Sequence, residues 1–238
     1  MYECNQFTRT ELALGKDGIE KLKNSKIVLF GLGGVGSYIA EALARVGVGN
    51  LIIVDGDIVD ITNINRQLIA NINTIGKNKA ELVKERISLI NPSANVVAIS
   101  KFVKGENDIN FIDGTVDYVI DAIDDFDAKI MIIKKAKELG LNLISSMGTA
   151  KRLHGDMFKI ADISKTKVCP LAKKMRRELK KLGIKKLKCV CSDEISSGEI
   201  IESDKIRKSS PSSISFIPST MGLIITSEVV KDLILWNK

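Results

Sequence analysis

Gly31-Leu32-Gly33-Gly34-Val35-Gly36 is followed by Asp55-Gly56-Asp57 and then by Asn63-Ile64-Asn65-Arg66-Gln67. A Gly-x-Gly-Gly-x-Gly turn between a strand and a helix lets backbone N–H groups approach a phosphate, and the helix dipole favours the anion. Gly31, Gly33, Gly34 and Gly36 therefore read as a phosphate cradle. Asp55 ends the next strand, where a carboxylate accepts both hydroxyls of a ribose. This much suits a dinucleotide oxidoreductase as well as an ATP enzyme. The second cluster separates them. Asp57, Asn63, Arg66 and Gln67 lie just past that strand, Lys79 opens the following helix, and Asp121 and Asp124 end a later strand at the same sheet edge. Hydride transfer has little use for an Arg, a Lys and a spare carboxylate around the phosphates. Nucleotidyl transfer needs cations for the charge that builds on departing pyrophosphate, and a carboxylate that holds Mg²⁺. Taken singly, Arg66 or Lys79 is a surface cation and Asp124 a helix cap. Their joint placement is what points to chemistry on ATP.

Alternating strand and helix patterns must position these groups. Lys26–Phe30, Leu51–Val54, Asn95–Ser100, Tyr118–Asp121 and Leu141–Ser145 read as strands. Ser37–Val46, Lys77–Ile90 and about Asp127–Leu139 read as the helices between them. The expected fold is α/β, a Rossmann-like doubly wound and mainly parallel sheet. Beyond Gly148 the pattern loosens into a C-terminal extension. Met157–Ile160 is a further strand candidate, and Ala172–Leu182 a basic amphipathic helix with Met175, Leu179 and Leu182 apolar. Weak strand signals fall at Glu199–Glu202 and Ile214–Ile217. Met221–Trp236 reads as a strongly apolar final helix, suited to a core or a dimer interface, because Glu228, Lys231 and Asp232 interrupt it too often for lipid.

The chain has 238 residues, 45% of them hydrophobic, which is enough for a sizeable core. Its net charge of +7 is local in origin. Lys165 to Lys188 holds eleven Lys/Arg against one acid, Glu178, so the remainder is net acidic. Lys173, Lys174, Arg176, Arg177, Lys180 and Lys181 flank the apolar stripe of one helix, a pattern suited to a phosphate backbone. An anionic membrane surface is the alternative partner. The four cysteines form no Cys-x-x-Cys pair and His154 is the single histidine, so a zinc site is not expected. With no apolar leader and no run of about 18 apolar residues, neither secretion nor membrane insertion is expected, and the location is cytoplasmic.

In sequence, Gly31–Gly36, Asp55–Gln67, Gly76–Lys79 and Asp121–Asp124 resemble the motifs of the ubiquitin-activating-type adenylating enzymes, which include the bacterial thiamine and molybdopterin activators. The resemblance spans about residues 5–150. It implies that Asp55 binds ribose, that Asn63, Arg66 and Lys79 bind the phosphates of ATP, and that Asp124 holds Mg²⁺. It also implies a homodimer in which Arg9, in Phe7-Thr8-Arg9, reaches the phosphates of the partner subunit.

The remaining third lacks the zinc-binding Cys pairs of those activators. Ala161–Thr166, Pro170–Lys173 and Cys189–Glu194 instead look like the tRNA threonylcarbamoyladenosine dehydratase branch, with two departures. Cys191 stands where a non-cysteine is expected, and the segment between Glu194 and Pro218 is short. The branch implies a single adenylating domain over 1–238, with a nucleotide-binding core to about 150 and an extension for tRNA contact and dimerisation. It further implies that a carboxylate on a modified adenosine of tRNA attacks the α-phosphate of ATP. Pyrophosphate leaves, and a neighbouring atom then closes a ring and expels AMP. Activation of a ubiquitin-like sulfur-carrier protein is the alternative. Related activators form thioesters or persulfides, which would make Cys189 a nucleophile and a sulfurtransferase a partner. Lys185, Lys186 and Lys188 nearby favour a thiolate there.

Overall fold

The computed structural model describes residues 4–195 and 212–235. In Lys26–Phe30 (β1), Ile27 and Leu29 enter one hydrophobic core while Val28 and Phe30 enter a second, all four fully buried. A strand covered on both faces reads as a continuous apolar run, and it belongs to a parallel sheet with helices on both sides. β1 pairs in parallel with Asn50–Val54 (β2) and with Tyr118–Asp121 (β4). Asn95–Ile99 (β3) adds beyond β2, and Asn142–Ser146 (β5) beyond β4. Phe158–Asp162 (β6) and Lys188–Ser192 (β7) complete the seven-stranded order β3-β2-β1-β4-β5-β7-β6, in which only β6 runs antiparallel. Strand order reverses between β1 and β4, and the crevice outside their carboxyl ends is where such sheets bind ligands.

Gly36–Val46 (α2), Lys79–Ile90 (α3) and Phe216–Ile234 (α6) cover the Ile27/Leu29 face. Phe126–Glu138 (α4) and Pro170–Lys181 (α5) cover the other. Thr8–Asn24 (α1) packs outside α6 and α2 and kinks at Gly15, whose φ of 79° is left-handed. Residues 151–195 and 212–235 thus extend the same sheet and the same two cores. Among the described residues no helix is long and apolar enough to cross a membrane.

Three features depart from the sequence expectations. α1 is not among the sequence expectations; it contains two glycines, one accommodated as the kink at Gly15 and the other packed between Leu14 and Ile234. β7 was not expected either, since Lys188-Cys189-Val190-Cys191-Ser192 holds a single β-branched residue. Its burial between β5 and β6 makes it a strand. Ile214–Ile217 is not a strand: Ile214 is irregular, and α6 begins at Phe216 with Pro218 in its first turn, where a missing N–H costs nothing. Glu199–Glu202 and Trp236 lie outside the described residues.

Candidate nucleotide and phosphate site

The glycine loop is shaped by close approach. Gly31 has φ 83°, and a Cβ on it would lie 2.6 Å from Ala122 O. A Cβ on Gly36 would lie 1.7 Å from Gly31 O. These two glycines let β1 turn into α2 beside the end of β4. Gly33 and Gly34 line the turn itself, with Gln67 and Pro218 as their neighbours. Val35 precedes α2 without a side-chain cap, so no side chain of its own fills the helix N-terminus. Asp55 ties this loop to the end of β2. Its Oδ2 accepts the N–H of Leu32 at 2.6 Å and its Oδ1 that of Asp57 at 2.8 Å. Burial pushes its carboxyl above the usual aspartate value, against the opposing pull of Lys79 and the two N–H donors.

Past β2 the chain carries Lys79, Asn63 and Arg66, and past β4 it carries Asp124. Lys79 is buried rather than a surface cation, and its Nζ lies 3.0 Å from Asp57 Oδ2. Asn63 is buried, and its Oδ1 accepts the Asp60 N–H at 3.2 Å. Arg66 is half-buried, with Nη1 donating to Thr62 O and Asn65 Oδ1, each at 2.9 Å. Burial lowers its pKa, while the charge of Asp124 acts in the opposite direction. Asp124 is exposed and does not cap α4, because Asp125 does so by accepting the Ala128 N–H at 2.8 Å. Asp124 is therefore an exposed carboxylate, not the helix cap, whose charge acts on Arg66. Asp121, expected to face the same crevice, does end β4 there, but its side chain is turned into the core. It is fully buried, takes Lys129 Nζ at 2.8 Å and Ser145 Oγ at 2.5 Å, and so anchors the start of the β4–α4 loop. Its position at a strand end did not reveal this, because the deciding partner, Lys129, lies on an otherwise apolar helix face.

Gln67 is 6% exposed and its Oε1 has no hydrogen-bond partner, although its amide adjoins the Gly33 turn. A buried orphan acceptor beside a bare glycine cradle fits a missing polar ligand. Among the described residues no three His, Cys, Asp or Glu side chains gather as metal ligands. A cation at Asp124 would thus complete its shell with phosphate oxygens and water, as Mg²⁺ does.

Family-model comparison matches the ThiF family over residues 7–237. The chain belongs to the ThiF family. Among ThiF relatives, the tRNA threonylcarbamoyladenosine dehydratase of Bacillus subtilis is 48% identical, covering 97% of this chain and 95% of that protein. The Escherichia coli tRNA N6-threonylcarbamoyladenosine dehydratase, crystallised with AMP and with ATP, superposes with a TM-score of 0.88 at 30% identity, covering 97% of this chain and 94% of the other. Likeness to the probable molybdopterin-synthase adenylyltransferase of Porphyra purpurea, 37% identical, covers only 59% of this chain and 36% of that protein. The fold is therefore the ThiF fold, and the likeness to these two dehydratases spans nearly all of both chains.

In this ThiF chain α5 buries Ala172, Met175 and Leu179 and turns its cations outward. Leu182, expected in the apolar stripe, lies just past the helix and is 42% exposed. The six basic residues are not equivalent. Arg176 donates to Thr166 Oγ1 and is committed to the fold. Lys181 pairs with Glu178 at 2.8 Å. Lys174 sits on the Phe126 ring, its Nζ 3.6 Å from the centroid. Lys173, Arg177 and Lys180 are exposed. Arg9 is exposed on α1 and borders an open, mainly apolar groove of about 560 Å³ with α2 and α6.

Cys189 does not meet the requirements of a nucleophile. It is fully buried, its Sγ donates to Ala161 O at 3.4 Å, and a hydrogen bond with Cys191, together with burial, pushes its pKa up. Of the basic residues near it in sequence, Lys188 is turned to α6, where it reaches Glu228 and Asp232.

Proposed function

We propose that this chain is an ATP-dependent dehydratase of N6-threonylcarbamoyladenosine in tRNA. The observation that carries the reading is the mounting of α5. Lys174 is seated on Phe126, two residues after Asp124, so the basic face of α5 begins beside the phosphate cluster. A polyanion lying along Lys173, Arg177 and Lys180 would thereby have its reactive nucleoside near the crevice. An enzyme acting on the C-terminus of a small carrier protein has no use for that arrangement. Full-length likeness to dehydratases supports the same choice.

The residues divide the work. Asp55 holds the ribose. The Gly31–Gly36 turn cradles phosphate, with Gln67 Oε1 as an adjoining acceptor for a water or a hydroxyl. Asn63, Arg66 and Lys79 stabilise charge on the departing pyrophosphate. Mg²⁺ held by Asp124 would polarise phosphate oxygens. The carboxylate of the threonylcarbamoyl group attacks the α-phosphate, and its C–O oxygen becomes part of a mixed anhydride. A neighbouring nucleophilic atom of the same group then attacks the activated carbonyl and closes the ring, and AMP leaves with that oxygen. The net change is loss of one water. ATP is required because hydroxide is a poor leaving group and AMP a good one. An intramolecular closure needs positioning rather than an enzyme thiol, in keeping with the enclosure of Cys189. The working unit is a homodimer in the cytoplasm, with Arg9 of one subunit directed to the phosphates of its partner.

The test is ATP–pyrophosphate exchange. Exchange should appear with tRNA carrying threonylcarbamoyladenosine and be absent with a Gly-Gly-ending carrier protein. The reverse pattern would replace this reading with carrier activation.

A further inference from the structure

Among the described residues two that are not glycine hold a left-handed backbone, Lys151 with φ 59° and Leu235 with φ 53°. The six other positive-φ positions are glycines. Leu235 caps the end of α6, where a left-handed residue is common. Lys151 ends no helix. It lies in the connection between β5 and β6, and a lysine in this conformation carries a steric cost that a glycine would not. The connection is also fastened. Lys151 N donates to Ser212 O at 3.0 Å. Arg152 is buried and donates to Gly148 O and Glu194 O. The Glu194 carboxylate accepts the N–H groups of Leu153 at 2.9 Å and His154 at 3.1 Å.

None of these bonds uses the Lys151 side chain. It is half-buried, and among the described residues no hydrogen bond or carboxylate engages it. Its neighbours differ: Arg152 is committed to the two carbonyls, and His154 faces Asp156 at 3.9 Å. The fastening also fixes where Lys151 sits. Ser213, next to the acceptor of Lys151 N, takes Asn65 Nδ2 on its carbonyl at 3.0 Å, and Asn65 Oδ1 in turn accepts Arg66. At the other end, a Cβ on Gly148 would lie 3.7 Å from Sγ of Cys169, the residue that precedes α5. The connection therefore runs from Arg66 of the phosphate cluster to the start of the basic helix. A strained backbone kept by lysine where glycine would sit more easily points to a task for the side chain.

We propose that Lys151 binds a backbone phosphate of the RNA beside the nucleoside that reacts. The proposal rests on the tRNA reading above. An RNA lying along Lys173, Arg177 and Lys180 passes this connection on its way to the crevice. An ammonium group on a fastened backbone holds one phosphate with little loss of conformational freedom. Because the contact is to a phosphate, it sets the position of the RNA and not its sequence.

The test uses the full chain and a short RNA carrying one threonylcarbamoyladenosine. The two linkages flanking that nucleoside are either natural or replaced by uncharged methylphosphonate. Lys151→Gly should raise the Kd for the natural RNA about tenfold and leave the Kd for ATP at the wild-type value. Its Tm should stay within a few degrees of wild type, because relief of the left-handed strain offsets the added freedom of the unfolded chain. The neutral linkages should cost the wild type about the same factor and cost Lys151→Gly much less. Lys151→Arg should keep most of the affinity. An unchanged RNA Kd in Lys151→Gly, or equal sensitivity of variant and wild type to the neutral linkages, would overturn the proposal. A large fall in Tm would overturn it by exposing a structural role, and a parallel loss of ATP affinity by assigning the cation to the nucleotide. A wild type that releases no AMP with the modified RNA would overturn the tRNA reading itself, and this proposal with it.

Discussion

Asp124 and Asp121 are three residues apart and have opposite fates. One is exposed beside Arg66, and the other is sealed against Lys129 and Ser145. Asp124→Ala should therefore cut AMP formation about a hundredfold or more, as loss of a transition-state electrostatic group does, while tRNA retention on filters stays near wild type. Asp55 gives a pH signature. Burial raises its pKa from 3.8, so on acidification it takes up a proton earlier than an ordinary aspartate. Its contribution to stability is fully present below the unfolded value and is lost as pH rises through the higher folded one. ATP affinity has the opposite sign, since the ionised carboxylate accepts the ribose hydroxyls. Titrations between neutrality and pH 4 should show ATP binding fall above the ordinary aspartate range, and Asp55→Asn should lack that step. The placing of Gly31 and Asp55 just after strand ends and of Lys79 at the start of α3 was legible from motif spacing. Gln67's orphaned oxygen and the buried Lys129–Asp121 pair were not, since each depends on burial that only the folded chain creates.

Among the elements, α5 and α6 show what periodicity can and cannot convey. The amphipathic pattern located α5 within two residues at its start, but it could not say that Arg176 is spent on Thr166 or that Lys174 is seated on Phe126. The salt test accordingly uses the exposed cations alone. Replacing Lys173, Arg177 and Lys180 by Gln should weaken tRNA binding and reduce the slope of log K against log salt by about 2 to 3. An unchanged slope would remove α5 from the interface. α6 is held by a clamp that no motif announced. Lys188 of β7 donates to Glu228 at 2.9 Å and to Asp232 at 2.7 Å, and Tyr118 OH donates to Asp232 at 2.6 Å. Burial alone would raise the Glu228 pKa, yet Lys231 and Lys188 carry it below the usual value. Its stability is thus present above the unfolded pKa and lost as pH falls through the folded one. Lys188→Met should cost about 1–2 kcal/mol in denaturant melts at neutral pH, a figure reduced for partial solvent exposure. The difference from wild type should shrink in acid below the ordinary glutamate range.

At the scale of the whole molecule, the parallel core followed from apolar runs such as Ile27–Phe30 and from glycine turns at strand ends. The edge built by β6 and β7 did not, because a strand such as Lys188–Ser192 is made by its neighbours rather than by its own composition. The result places an ATP-type crevice, a clamped apolar helix and a basic helix on one sheet. On the proposed function, this assembly spends ATP to remove water from a tRNA nucleoside. The most direct measurement is AMP release with Mg²⁺, comparing tRNA that carries threonylcarbamoyladenosine, the same tRNA without it, and no tRNA, with mass spectrometry of the nucleosides. AMP is expected only with the modified tRNA, together with a nucleoside lighter by one water. AMP release that is indifferent to the modification, or a nucleoside of unchanged mass, would contradict it.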